Sequence, residues 1–185
     1  CTLEEYFLKN FDPGFMQMCQ NEYGMDDAAL QDETEFWKKY VAQHIPSAYP
    51  GMKELMCRHK AEGGYICVVS HSFDENIRRE TMRRTKDAEN GLPEPDLVFG
   101  WEQPPERRKP NPWPLEEIMR RLGLAPEELL MIDDLKPGFD MAHSCGVDFA
   151  AAGWAYDVPQ IEDFMRRNSD FYFKTVQELA DFLGE

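Results

Sequence analysis

Positive charge is scarce in this chain. Its 185 residues hold 20 Lys and Arg against 35 Asp and Glu, a formal net charge of −15. So acidic a surface argues against general nucleic-acid or anionic-membrane binding, both of which want basic patches. It still allows a local cationic pocket for a small anion. No apolar run reaches the ~18 residues of a spanning helix, and nothing resembles a signal peptide. Cysteine is also sparse: Cys1, Cys19, Cys57, Cys67 and Cys145 are odd in number, scattered and without a CxxC pair. That excludes a disulfide framework or a zinc knuckle and fits free thiols in a reducing cytoplasm. Repeats and low-complexity tracts are missing too. What is present is material for a core. With 42% hydrophobic and 12% aromatic residues, wholesale disorder is excluded, and the length suits one domain or a domain with a small insertion.

The hydrophobic pattern changes character along the chain. Up to about residue 47 it predicts helices, over 3–11, 15–23 and 33–45, with Phe36, Trp37, Tyr40 and Val41 on one stripe at helical spacing. Beyond residue 50, helices alternate with short apolar runs. Strands are expected at 65–69, 97–99, 129–132, 149–152 and 171–173. Helices are expected at 52–60, 72–89, 115–122, 139–144, 160–167 and 175–183, the last opened by a Thr175–Glu178 capping box. The run Tyr65 to Val69 reads as a strand buried on both faces of a parallel sheet. Such alternation means an α/β fold with a mostly parallel sheet.

In open α/β sheets, ligands bind beyond the carboxyl ends of the strands. Three stations there carry chemistry. Ser70 follows the first strand, where a hydroxyl beside helix-start amides suits a phosphate oxygen; Ser72 is explained as a cap with Glu75, and His71 as a loop residue. Lys109 stands in Lys109-Pro110-Asn111-Pro112, whose prolines restrict the backbone and aim its point charge. Arg107 and Arg108 read as a solvated charge run. Asp133 and Asp134 close the third strand. Adjacent carboxylates at a buried strand end are costly without a cation, and a hard ion such as Mg²⁺ would offset that cost through oxygen ligands.

The order of these stations resembles motifs two, three and four of the haloacid dehalogenase superfamily. Tyr49-Pro50-Gly51-Met52-Lys53-Glu54-Leu55 resembles the entry to the second motif, Lys109-Pro110-Asn111-Pro112 the usual KPxP, and Met131-Ile132-Asp133-Asp134 the paired-acid form of the fourth. The likeness covers roughly residues 49 to 183. It implies a Rossmann-like, mostly parallel sheet flanked by helices over residues 48–185 (with 1–3), and a small α-helical cap over residues 4–47. It also implies roles: Asp134 as direct Mg²⁺ ligand, Asp133 beside it orienting Lys109 or a metal-bound water, Lys109 bridging nucleophile and phosphate, and Ser70 donating to a phosphoryl oxygen. The expected activity is Mg²⁺-dependent hydrolysis of a small phosphorylated metabolite through an aspartyl-phosphate.

Two departures from the family pattern stand out. The first motif, a strand ending in two aspartates, is not in this sequence; Cys1-Thr2-Leu3 looks like its tail, so both acids are expected upstream of Cys1. In the family that strand lies between the Ser70 strand and the Asp133-Asp134 strand; removing it would expose two rows of backbone donors and acceptors and split the core, so a chain beginning at Cys1 is expected to fold poorly and the natural protein to continue upstream. Gly138, moreover, stands where many relatives carry a polar or acidic residue. The alternatives are a catalytically inactive binding module of the same fold, or a phosphosugar mutase, to which the acidic stretch Asp26 to Glu35 gives little support. Oligomeric state is not legible.

Overall fold

The computed structural model describes residues 2–44, 47–81, 92–155 and 157–184, with the side chains of 79–81 left aside. The chain opens with three helices. Helix α1, Leu3–Phe11, starts at a capping box in which Thr2 Oγ1 accepts from the Glu5 N–H and the Glu5 carboxylate from the Thr2 N–H. Helix α2, Phe15–Tyr23, stops at Gly24, whose φ of +63° closes the helix in the left-handed region. Helix α3, Asp27–Gln43, begins earlier than the expected residue 33. Its cap is Asp26, whose carboxylate accepts from the Ala29 N–H at 2.9 Å. These helices share a small core of Met18, Cys19 and Leu30, flanked by Tyr6, Phe15 and Met25. Phe11 of α1 faces the other way, into the main core.

The remaining elements alternate as expected. They are α4 (Met52–Ala61), β1 (Cys67–Val69), α5 (Asp74–Thr81), β2 (Leu97–Phe99), α6 (Trp113–Leu122), β3 (Leu130–Asp133), α7 (Lys136–Cys145), β4 (Asp148–Ala152), α8 (Pro159–Asn168), β5 (Phe171–Phe173) and α9 (Val176–Leu183). Prolines open α6, α7 and α8, where a missing N–H costs nothing. For α7 this corrects an expected start at 139: Pro137 lies within its first turn. Helix α5 begins at Asp74, later than expected, and the Asp74 N–H bonds the Glu102 carboxylate at 2.9 Å. A helix starting at Ser72 with Glu75 in its box is therefore not what forms. The part of that expected helix carrying Arg83 and Arg84 lies outside the described residues.

The strands are all parallel but fall into two sheets. β1 pairs with β2, Val68 opposite Val98, and β3 pairs with β4, which pairs with β5. Among the described residues, no ladder joins β1 to β3. Both sheets nevertheless pack into one core, which gathers Phe99 from β2, Met131 from β3 and Phe149 from β4 with Leu115, Ile118, Met141 and Ile161 of the helices. Helix α9 closes the opposite face with Leu179 against Ala150 and Phe173. The interruption leaves marks. β1 is only half-buried along its length, against the expectation of burial on both faces, and Ile132 in β3 is 38% exposed. Strands with a hydrogen-bonding neighbour on one side have one flank open to water.

The four described cysteines form no disulfide. No helix among the described residues is long and apolar enough to cross a membrane.

Candidate active site

The carboxyl ends of β1 and β3 open into one cleft of about 670 Å³. Its floor holds Ser70, Lys109, Asp133 and Asp134; its upper wall is Phe15 of α2 with Thr34 and Trp37 of α3. All four candidate residues read from the sequence therefore meet at one place, although they come from separate stretches of chain.

Asp133 is the most tightly held of them. Its Oδ2 takes the Lys109 ammonium at 2.5 Å, with side chains 6% and 9% exposed. Its Oδ1 accepts from the N–H groups of Asp134 and Leu135, at 2.8 and 3.2 Å. Burial works against the charge. The Lys109 ammonium and these hydrogen bonds prevail, and hold Asp133 below the ordinary aspartate range. Asp134 goes the other way. Burial first, then the neighbouring Asp133 charge and the contact between the two carboxyls, push it up to about 7. One carboxylate is thus locked inward as a charged anchor for Lys109. In the other, burial and the carboxylate beside it disfavour the charged form.

The loop that carries Lys109 is fastened from both sides. The Lys109–Pro110 peptide is cis, and His71 Nε2 lies 3.1 Å from the Lys109 carbonyl oxygen. Arg108 lies over the Trp101 ring at 3.9 Å and donates from Nε to the Gln103 carbonyl. The sequence reading left His71 and Arg108 out of the site. Their only sequence signal is adjacency to Ser70 and Lys109, and what they do depends on two distant loops folding onto one another. Ser70 Oγ accepts from the Ser72 N–H at 3.0 Å, while the Ser70 N–H bonds the Phe99 carbonyl and extends the β1–β2 ladder by one residue. The Ser70 O–H is not used in this bond, so it can donate to another group.

Gly138 is explained by packing. A Cβ placed on it would stand 2.2 Å from Asp133 Oδ2 and 2.6 Å from Asp133 Cβ. In this chain the helix after the aspartates approaches so closely that a side chain at 138 would displace the anchor. Among the described residues no cluster of three or more His, Cys, Asp or Glu is placed to hold a metal. Two adjacent carboxylates at a strand end fit an ion that keeps most of its waters and takes further oxygens from a phosphate, the habit of Mg²⁺.

Comparison with known proteins agrees with this geometry. Residues 3–152 match the sequence profile of haloacid dehalogenase-like hydrolases. The chain is 34% identical over 164 residues to pyrophosphatase PpaX of Halalkalibacterium halodurans, covering 86% of this chain and 72% of that one. It is 25% identical over 188 residues to a phosphoglycolate phosphatase of Aquifex aeolicus, covering 97% and 85%. In fold it is similar to a haloacid dehalogenase-like protein of Agrobacterium tumefaciens, with a TM-score of 0.71 at 15% identity over 99% of this chain and 83% of the other. The cleft residues, the parallel sheets and the sequence match lead to one assignment: the chain belongs to the haloacid dehalogenase-like hydrolases, as an enzyme of their phosphatase type.

Proposed function

We propose that this protein is a Mg²⁺-dependent phosphomonoester hydrolase that acts on a small phosphorylated metabolite through an aspartyl-phosphate. The observation that carries the reading is the meeting of Ser70, Lys109, Asp133 and Asp134 at the floor of one cleft. The Lys109 ammonium supplies the fixed positive charge for a phosphoryl group, and Asp133 keeps it aimed. The Ser70 hydroxyl donates to a phosphoryl oxygen. Asp134 is the carboxylate that takes the metal, because both oxygens of Asp133 are already engaged. Bound Mg²⁺ would neutralise charge between the phosphate and an attacking carboxylate.

That nucleophile we place on a strand lying between β1 and β3, where the two sheets of the described residues do not pair. Its carboxylate displaces the alcohol from phosphorus, the bond to the leaving oxygen breaks and that oxygen takes a proton; water then releases phosphate. Helices α1 to α3 serve as the cap, closing over the reaction and limiting water.

A phosphate-release screen of the full-length protein over small phosphorylated metabolites tests the reading. Turnover that needs Mg²⁺ and stops with a chelator is the expected result. No release from any phosphomonoester at millimolar Mg²⁺, by protein shown to be folded, would overturn it.

A further inference from the structure

The character of the cleft's walls points to what enters it besides a phosphoryl group. At about 670 Å³ it falls within the range of pockets that enclose a drug-sized ligand. Above the floor the lining is aromatic and thioether: Phe15, Met16 and Trp37 from the cap, Phe73 and Trp101 from the core. Trp37 presents 46% of its surface, although it belongs to a helix that packs on the cleft. Trp101 already carries the Arg108 guanidinium on its ring, the arrangement that a further flat π-system extends.

Charge points the same way. Glu33, Asp133 and Asp134 line the cleft against two cations, Arg108 and Lys109. Lys109 is bound to Asp133, and Arg108 lies against Trp101 with its Nε on the Gln103 carbonyl. Each lining cation is thus already held against a protein group, Lys109 by a carboxylate and Arg108 by a ring and a carbonyl, and Lys38 lies outside the lining, over the Phe73 ring at 5.4 Å. Above the floor, the second anionic group of a pyrophosphate or a short phosphorylated acid would meet rings and the Glu33 carboxylate, with the Arg108 guanidinium as the one lining cation there. A flat, uncharged ring system would bury apolar surface there and stack.

We infer that the leaving group of this hydrolase is an uncharged alcohol bearing a flat aromatic ring system, held by Trp37 and Trp101, and not a second small anion. The inference rests on the phosphatase reading and deepens it. Its test compares kcat/KM of the full-length Mg²⁺ enzyme for adenosine 5′-monophosphate and riboflavin 5′-phosphate with that for 2-phosphoglycolate and pyrophosphate. The ring-bearing pair is expected to lead by roughly tenfold or more, the scale of one base–aromatic stack. Trp37→Ala should cut that ratio by roughly the same factor, and Trp37→Phe should keep most of it. A ratio near one, or a ratio that Trp37→Ala leaves unchanged, overturns the inference. If no compound at all is hydrolysed, the phosphatase reading fails instead, and tryptophan fluorescence titrated with adenosine decides the ring site alone. Saturable quenching weakened in Trp37→Ala supports it, and no quenching overturns it.

Discussion

Replacing Lys109 with Met separates the two functions that the geometry gives this lysine. The side chain keeps its length and apolar stem but loses the ammonium. Asp133 then remains 6% exposed with no counter-charge on Oδ2, while Oδ1 keeps its two N–H donors. Breaking a buried ion pair by removing one partner costs about 3–5 kcal/mol, and the retained N–H bonds place this case near 3. For a chain of this length, 1 kcal/mol moves Tm by roughly 2–4 °C, so a fall of about 6–12 °C is expected at pH 7. Asp133 is held below its ordinary pKa in the folded state, so its stabilisation is present above the unfolded value and disappears as pH falls through the folded one. The variant and the parent should therefore converge in acid. The double variant Lys109→Met, Asp133→Asn removes the orphaned charge and should regain most of the lost Tm. Activity should behave differently: at least a ~10²-fold loss in the single variant, with no recovery in the double. Scanning calorimetry and phosphate release on the same preparations read both. A Tm loss below about 2 °C, or a double variant no more stable than the single, would show that the pair is not held in a buried site.

Three further outcomes follow from the same structure. Asp134→Asn should abolish Mg²⁺-dependent turnover and the rise in Tm that Mg²⁺ gives the parent; unchanged kinetics would remove Asp134 from the metal site. Gly138→Ala should cost about 1–3 kcal/mol in urea denaturation and lower kcat as well, because its methyl would overlap Asp133. A neutral effect on both would mean that the helix yields and the close approach is not a constraint. Burial, then the nearby Asp96 charge, pushes the Cys67 thiol up to about 11. At pH 8 only about one molecule in a thousand then carries the thiolate. Iodoacetamide with mass spectrometry should modify the exposed Cys57 at least ~10-fold faster than Cys67; equal rates would contradict the shielding of the Cys67 thiol.

The α/β alternation was legible because each element carries its own local signal. Capping at Thr175, for instance, needs only neighbours a few residues away, and the Thr175 side chain does accept from the Glu178 N–H. The four floor residues of the cleft were legible for a related reason. Each terminates an apolar run or lies between prolines, and the fold places strand ends together. Boundaries were less so. The start of α3 depended on recognising Asp26 as a cap, and that of α7 on reading Pro137 as a helix opener and not as a breaker. Ser72 had the spacing of a capping box, but the Glu102 carboxylate reached the Asp74 N–H from another loop. A distant competitor of that kind has no local signature.

By itself, then, the sequence determined which residues are charged, which segments are apolar, and the order in which strands deliver Ser70, Lys109 and Asp133-Asp134. Those properties follow from residue type and spacing alone. Only the tertiary structure decided that Asp133 turns inward to Lys109 while burial and that neighbour push Asp134 up, that His71 and Arg108 fasten the lysine loop, and that Trp37 and Trp101 line one cleft. Those outcomes depend on distances between groups far apart in the chain, and the low-dielectric surroundings that make such distances matter exist only once the core has closed.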